Sequence, residues 1–320
     1  MTLSARWWRL EEAVEDGARE AASGPLAETT ARDSGVKPGK KAARCGLCIH
    51  NCLIDKGKWG YCGVRQFTGE VLVSPCLGRF SSVAVDPIEK KPLYHWRPGS
   101  SILSLGSLGC TMRCPFCQNH GIAHPLPGKF PGRLEDIPPQ ALVETARRMR
   151  LNAVAYTYNE PALQAEYILD AVPLLKEAGI ATVLVSNGMF SHELLEAFAD
   201  VVDAANIDLK TYNTKNYAKL GGNLETARYS ISRLLERGVH VEVTTLVVPG
   251  ISDSPEEFAS EVEWLSSLSP DIPLHISRYR PAYKYTAPPT DIGLLQRFAS
   301  IASATLRHVH LGNMPLSRTR

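Results

Sequence analysis

The sequence lacks both a long apolar segment and a strong net charge. No run in its 320 residues reaches the ~18 apolar positions that a membrane-spanning helix needs. The formal charge is only +2, whereas nucleic-acid binders usually carry a strongly basic face. Glu11, Glu12, Glu15 and Asp16 stand where a signal peptide would carry its apolar core. We therefore expect a cytoplasmic protein with no membrane and no nucleic-acid partner.

The cysteines are present in clusters. Four lie between Cys45 and Cys62, three lie between Cys110 and Cys117, and Cys76 stands alone. In a reducing compartment, short spacings of this kind predict metal ligands rather than disulfides. Cys76 is expected to be a small buried side chain.

Composition divides the chain into three regions. Residues 1–43 are predicted to be a flexible N-terminal arm, with a short helix around Trp7, Trp8 and Leu10 and a linker behind it. Residues 44–98 form a cysteine-rich metal-binding region with short strands at 71–74 and 83–85. Residues 99–320 alternate short apolar strands with amphipathic helices. Strands are predicted at 102–105, 153–157, 182–186, 205–209, 241–248 and 274–277, and helices at 139–150, 161–178, 192–198, 224–236, 255–268 and 291–304.

This alternation predicts an α/β fold with a parallel sheet and helices outside it. Both a doubly wound sheet and a partial barrel fit the pattern. Each of them places its chemistry at the carboxyl ends of the strands.

The first of these strands runs directly into Cys110-Thr-Met-Arg-Cys114-Pro-Phe-Cys117. Thiolates are the standard ligands of iron–sulfur clusters. A cubane has four irons, so three cysteines leave one iron open to an exogenous ligand. Structural zinc sites and electron-transfer ferredoxins normally use four protein ligands. The segment therefore predicts a catalytic 4Fe–4S cluster.

Other motifs lie along the same chain. They are the segment 82–94 with its Asp-Pro-Ile-Glu-Lys-Lys-Pro core, Cys114-Pro-Phe-Cys-Gln-Asn119, Tyr156-Thr-Tyr-Asn-Glu-Pro161, Ile207-Asp-Leu-Lys210 and His275-Ile-Ser-Arg-Tyr-Arg-Pro281. Together they resemble the radical S-adenosylmethionine (SAM) superfamily, and within it the AmmeMemoRadiSam-system enzymes, which are relatives of the pyruvate formate-lyase activating enzymes.

The resemblance implies a partial (β/α)6 TIM-type barrel with the cluster on the loop after the first barrel strand. It also implies that SAM chelates the open iron and that one electron from the reduced cluster breaks the sulfur–C5′ bond of SAM. The 5′-deoxyadenosyl radical so formed would abstract hydrogen from a substrate. A flavodoxin- or ferredoxin-type reductant is the expected partner.

The resemblance further implies roles for residues at the strand ends. The residues expected to bind SAM are Phe116, Asn159, Glu160, Ser186, Asn187 and Val248. The residues expected to act in the barrel mouth are Asp208, Lys210 and His275. Structural alternatives stay open: a strand end before a helix for 159–161, a turn at 186–187, an ion pair for Asp208 and Lys210, and a hydrogen-bonded core histidine for His275.

Cys45, Cys48, Cys52 and Cys62 form what we call the N-terminal cysteine group. Four thiolates can complete either an auxiliary 4Fe–4S cluster or a zinc site, and the spacing favours the cluster. His50 could replace one of the four.

Three functions are compatible with the sequence. The first is a radical enzyme that acts on a small-molecule substrate in a biosynthetic pathway. The second is an activase that places a radical on a partner protein. The third is a non-catalytic iron–sulfur electron carrier, which the open iron disfavours.

Overall fold

The computed structural model describes residues 5–12, 41–130 and 132–315. Six short strands precede the main sheet: β1 (Trp8–Glu12), β2 (Lys41–Cys45), β3 (Cys52–Asp55), β4 (Gln66–Phe67), β5 (Leu72–Val73) and β6 (Arg79–Phe80). β1, β2 and β3 form an antiparallel sheet, and β4 pairs with β5. In the first of these sheets Cys45 lies opposite both Trp8 and Cys52.

The short helix predicted around Trp7, Trp8 and Leu10 is wrong, because Trp8–Glu12 is a strand. Its partner Lys41–Cys45 lies about 30 residues further along the chain, so the ladder leaves no local periodicity to detect. The linker was predicted over residues 23–43; residues 13–40 lie outside the described residues, and Lys41 to Ala43 belong to β2.

The main sheet has eight strands, and its order follows the sequence. The remaining strands of the described chain are β7 (Ser82–Pro87), β8 (Ser101–Gly106), β9 (Glu135–Asp136), β10 (Ala153–Tyr156), β11 (Ala181–Ser186), β12 (Ala204–Asp208), β13 (His240–Val247), β14 (Leu274–Arg278) and β15 (Val309–Gly312). The order across the sheet is β7-β8-β10-β11-β12-β13-β14-β15, whereas β9 pairs with β6. All neighbours are parallel except β7 and β8. A doubly wound sheet would reverse its order at a switch point, so this order favours the partial barrel.

Helices connect the parallel strands, as the alternating pattern predicted. They are α1 (His120–Ala123), α2 (Pro139–Arg148), α3 (Ala165–Glu177), α4 (His192–Ala199), α5 (Thr214–Lys219), α6 (Leu224–Glu236), α7 (Pro255–Leu268) and α8 (Ile292–Ser303). Several begin at a side chain that accepts the backbone N–H three residues on, as Ser191, Asn223 and Ser254 do. α1, α5 and β15 were not predicted. No helix in the described ranges has the length and apolarity to cross a membrane.

The two faces of the sheet are covered differently. The helices pack on one face and form the large core. The opposite face carries small side chains such as Ala153, Ala155 and Ala204, and Ile88, Leu93 and Trp96 pack against them. We call residues 86–96 the plug, because they fill the inside of the curved sheet. Backbone N–H groups of Tyr94 and His95 donate to the buried carboxylate of Glu242, at 3.0 and 2.8 Å.

Candidate active site

The three clustered cysteines lie on residues 107–117, which leave the carboxyl end of β8. We call this segment the cluster loop. Asn159 braces its start: the side-chain Oδ1 accepts from Ser107 N at 2.9 Å, and Nδ2 donates to Gly109 O at 2.9 Å. Gly109 has φ +86°, and a Cβ there would lie 3.0 Å from the carbonyl oxygen of Cys62. Glycine therefore lets the cluster loop approach the N-terminal cysteine group closely.

A cavity of about 170 Å³ opens beside the cluster loop. Its walls combine the three cysteines with side chains from the carboxyl ends of four successive strands, β10 to β13. The lining residues include Cys110, Cys114, Phe116, Cys117, Tyr158, Asn159, Glu160, Asn187, Asp208, Lys210 and Leu246. The cavity thus brings polar side chains from the ends of β10, β11 and β12 together with the three cysteines.

The surroundings of the cysteines suit a negatively charged thiolate cluster. Met112 N and Asn187 Nδ2 approach Cys110 Sγ at 3.4 and 3.5 Å as hydrogen-bond donors. Burial raises the pKa of Cys114 to about 11, against the opposing influence of the Lys210 cation. A metal bound to a thiol removes this barrier, because coordination deprotonates the sulfur. Three thiols, two N–H donors and a nearby cation are a chemically suitable set of groups for a thiolate-bound cluster.

Asp208 and Lys210 form an ion pair in the cavity, with Lys210 Nζ 2.8 Å from Asp208 Oδ2. Burial disfavours the charged amine, but the Asp208 carboxylate and the Cys114 sulfur more than offset it. The pKa of Lys210 is therefore raised above its ordinary value. Lys210 remains a cation over the whole working pH range of a protein.

Glu160 is buried, and its carboxylate binds the carboxyl end of β11 through hydrogen bonds. Its carboxylate accepts hydrogen bonds from Ser186 Oγ at 2.7 Å, from Asn187 N at 3.1 Å and from Ala162 N at 3.1 Å. Burial raises the pKa of Glu160 to about 7, and these three donors oppose the rise. Glu160 thus fixes Asn187, whose amide group lines the cavity. Ser186 itself is buried and does not line it.

The structure corrects the placement of His275. The sequence prediction put it in the barrel mouth, but it is the second residue of β14 and lies toward the amino-terminal end. Its Nε2 is 2.6 Å from Glu242 Oε2, and its ring packs edge-on against Tyr94 in the plug. The core-histidine alternative describes this environment. The His275 side chain lies on the inner face of the sheet, as expected. It lies near the amino-terminal ends of the strands, however, whereas the cysteines lie at the carboxyl ends.

Val248 also differs from its predicted position. It directly follows β13, is fully buried and is not among the cavity-lining residues, whereas Leu246 within β13 lines the cavity. Phe116 is in place: it lines the cavity and makes edge-on contacts with Tyr279 and Tyr285.

The structure places members of the N-terminal cysteine group near one another. The β2–β3 pairing sets Cys45 opposite Cys52, and the pKa of the buried Cys48 is raised by its burial and by the other three cysteines. The buried Arg65 lies 3.9 Å from Cys45 Sγ and pairs with the buried Glu166. Arg65 thus places a buried N–H donor beside Cys45, while its charge is paired with Glu166. His50 is not turned toward the group, since its Nε2 contacts Thr111 O at 2.6 Å.

Asp86, Lys91 and Tyr158 form a further polar cluster, for which the sequence predicts no role. The Lys91 ammonium lies 2.7 Å from the carboxylate of Asp86, which also accepts a 2.5 Å hydrogen bond from the Tyr158 hydroxyl. Tyr158 lines the cavity with the left-handed φ of +69°. The plug thereby positions one wall of the cavity. Asp86 and Lys91 lie in the segment 82–94, which is one of the motifs that carry the family resemblance.

Comparison with known proteins agrees with this geometry. Residues 105–262 match the family model described as the Radical SAM superfamily. The uncharacterized protein MJ0808 of Methanocaldococcus jannaschii is 36% identical over 276 residues, which cover 85% of this chain and 81% of that protein. The pyruvate formate-lyase-activating enzyme of Clostridium pasteurianum is 24% identical over 155 residues, 46% of this chain and 62% of the relative.

Solved structures show the same fold. SuiB of Streptococcus suis, bound to S-adenosylmethionine, superposes with a TM-score of 0.50 at 16% identity, over 65% of this chain and 48% of that one. A radical SAM methyltransferase from Sphaerobacter thermophilus superposes with a TM-score of 0.50 at 16% identity, over 68% of this chain and 67% of that one.

The predictions of an enzyme, of an α/β fold and of radical SAM cofactors are confirmed by these matches, and the electron-carrier alternative loses its support. Proteins of this family use a 4Fe–4S cluster together with SAM. The chain belongs to the radical SAM superfamily.

Proposed function

We propose that Cys110, Cys114 and Cys117 hold the 4Fe–4S cluster and that SAM binds in the adjoining cavity to initiate hydrogen abstraction from a small molecule. The observation that carries this proposal is the convergence of three cysteines with Asn187, Asp208 and Lys210 in one cavity. When bound, the cluster supplies the electron for reductive cleavage of SAM. We place the protein in the cytoplasm, within a biosynthetic pathway and served by a flavodoxin- or ferredoxin-type reductant.

The residues of the chain divide the remaining work. Lys210 provides a fixed positive charge for the SAM carboxylate and for the thiolates, and Asp208 orients it. Asn187, held by Glu160, offers an amide beside Cys110. Phe116 and Leu246 exclude water from the cavity, which protects a reactive radical from side reactions.

Metal and product analysis of cysteine variants tests this proposal. The variant with Cys110, Cys114 and Cys117 changed to Ala should lose about four irons per chain and stop forming 5′-deoxyadenosine under reduction. Cys76→Ala is the matched control, because Cys76 is buried in the core outside both groups and should leave both quantities unchanged. Continued SAM cleavage by the triple variant would refute the assignment.

We propose an auxiliary 4Fe–4S cluster on the N-terminal cysteine group. The convergence of four cysteines beside the buried Arg65 supports a thiolate centre there. After anaerobic reconstitution, about eight irons per chain would indicate two cubanes, whereas about four irons with one zinc would indicate a structural zinc site.

A second candidate function is activation of a partner protein. The similarity to the pyruvate formate-lyase-activating enzyme of Clostridium pasteurianum favours it. Cell extract divided by ultrafiltration separates the two functions. Stimulation of 5′-deoxyadenosine formation by the small-molecule fraction supports our proposal. Stimulation by the protein fraction, with a glycyl-radical signal in electron paramagnetic resonance (EPR), supports the activase.

A further inference from the structure

The N-terminal cysteine group and the cluster loop are joined by direct contacts. His50 lies between Cys48 and Cys52 in the sequence, and its Nε2 approaches the carbonyl oxygen of Thr111 at 2.6 Å. A carbonyl can only accept, so this ring nitrogen carries the proton and donates. Thr111 directly follows Cys110 and is fully buried. One hydrogen bond therefore links His50 of the N-terminal cysteine group to Thr111, the neighbour of Cys110 on the cluster loop.

A second contact runs parallel to the first. The ring of His50 stacks on Tyr61, with centroids 3.9 Å apart and planes inclined by 26°. Tyr61 N lies 3.4 Å from Cys52 Sγ as a donor. The guanidinium of Arg113, on the cluster loop, lies 4.6 Å from the centre of the Tyr61 ring and also donates to the Tyr61 carbonyl. Residues 50–61 thus contact the cluster loop at both Thr111 and Arg113.

Thr111 also connects this contact to the SAM cavity. Asn187 Nδ2 lies 3.0 Å from Thr111 Oγ1 and 3.5 Å from Cys110 Sγ. A displacement of the Thr111 backbone therefore affects two neighbours at once. It moves the hydrogen-bond partner of Asn187, and it moves the backbone next to Cys110.

From these contacts we propose that His50 is a positioning residue which couples metal binding at the N-terminal cysteine group to SAM binding at the cluster loop. Metal ligation orders the segment that carries its ligands. Ligation of Cys48 and Cys52 fixes His50 from both sides, and His50 then fixes Thr111. The coupling is reciprocal, so SAM binding in turn tightens metal retention at the N-terminal group. This inference rests on the proposed function, but it holds for either iron–sulfur or zinc in that group.

Substitution of His50 in the reconstituted full chain tests the coupling. His50→Ala removes the donor, whereas His50→Gln keeps an N–H that can reach a carbonyl. His192→Ala is the matched control, because this histidine hydrogen-bonds Tyr229 at 3.2 Å, away from the cluster loop. The measurements are iron, sulfide and zinc content, SAM affinity by equilibrium dialysis, and the EPR spectrum of the reduced cluster with and without SAM.

We expect His50→Ala to keep its catalytic iron, to bind SAM roughly three- to tenfold more weakly and to show an altered SAM-induced EPR change. His50→Gln should restore most of the affinity, and His192→Ala should match the wild type. Changing the four N-terminal cysteines to Ala should weaken SAM binding as well, and adding His50→Ala to that variant should have little further effect, because both changes break one coupling. Wild-type affinity and an unchanged EPR response in folded, fully loaded His50→Ala would overturn the inference. A wild-type protein that holds the cluster but binds no SAM would instead overturn the proposed function, and this inference with it.

Discussion

Lys210 Nζ lies 2.8 Å from Asp208 Oδ2, and this ion pair faces Cys114 across the cavity. The raised pKa of Lys210 means that its charge is present at every pH at which the protein would be assayed. Lys210→Met should weaken SAM binding by roughly tenfold or more, since a charge-assisted contact is lost. Iron content should stay at its wild-type level. Lys215→Met, at an exposed position on α5, is the control. Equal SAM affinities in the two variants would show that Lys210 does not contribute to SAM binding.

Glu160 should affect SAM through Asn187. Glu160→Ala removes the acceptor of three hydrogen bonds and releases the Asn187 backbone. We expect SAM affinity to fall by about ten- to a hundredfold with iron content unchanged. Glu177→Ala, at an exposed position at the end of α3, should have no effect. Unaltered affinity in Glu160→Ala would return this segment to a purely structural role.

His275 should contribute to stability and not to the reaction. It donates to Glu242, a carboxylate whose pKa is lowered to about 2: burial opposes the charged form, but hydrogen bonds from His240, His275 and the plug prevail. His275→Ala should lower the free energy of unfolding by about 1–3 kcal/mol, because a buried acceptor loses a donor. Formation of 5′-deoxyadenosine per bound cluster should be unchanged. A folded, stable variant that no longer cleaves SAM would restore His275 to the mechanism.

Glu261 on α7 should make stability depend on pH. Burial raises its pKa to about 8, and Thr245 is its hydrogen-bond partner. Between pH 4.5 and about 8 the unfolded chain ionises this group while the folded protein keeps it neutral. Stability conferred by this group therefore falls as pH rises, by up to roughly 1.4 kcal/mol per pH unit.

Comparison of two variants isolates this contribution. Urea unfolding at pH 6 and pH 8 should show a smaller loss of stability for Glu261→Gln than for the wild type. Glu263→Gln, exposed on the same helix, should retain the wild-type loss. Identical pH dependence in all three proteins would contradict a neutral Glu261.

The parts of this structure that were predictable from sequence share a local origin. Parallel strands such as Ala153–Tyr156 are short apolar runs, and helices such as Leu224–Glu236 carry an apolar stripe and a capping Asn223. Asn187, Asp208 and Lys210 were expected to meet the cysteines because parallel strands align their carboxyl ends.

The failures have a physical reason in each case. Strand β1 is formed by pairing with a distant strand. For His275, alternation along a strand tells which face a side chain occupies, but its level in the barrel depends on register with neighbouring strands. The inward turn of Glu160 depends on donors at Ser186 and Asn187, 26 and 27 residues away, which no local pattern reveals.

The plug has a consequence for how the protein is made. Tyr94 is separated from its acceptor Glu242 by 148 residues, and His95 from its ring partner His310 by 215. A nascent chain leaves the ribosome amino-terminal end first, so the plug emerges long before the strands that receive it. Ile88, Leu93 and Trp96 have no complete sheet to cover until most of the protein has been translated. Contacts of such high sequence separation form slowly, so we expect the plug to pack against the sheet late in folding.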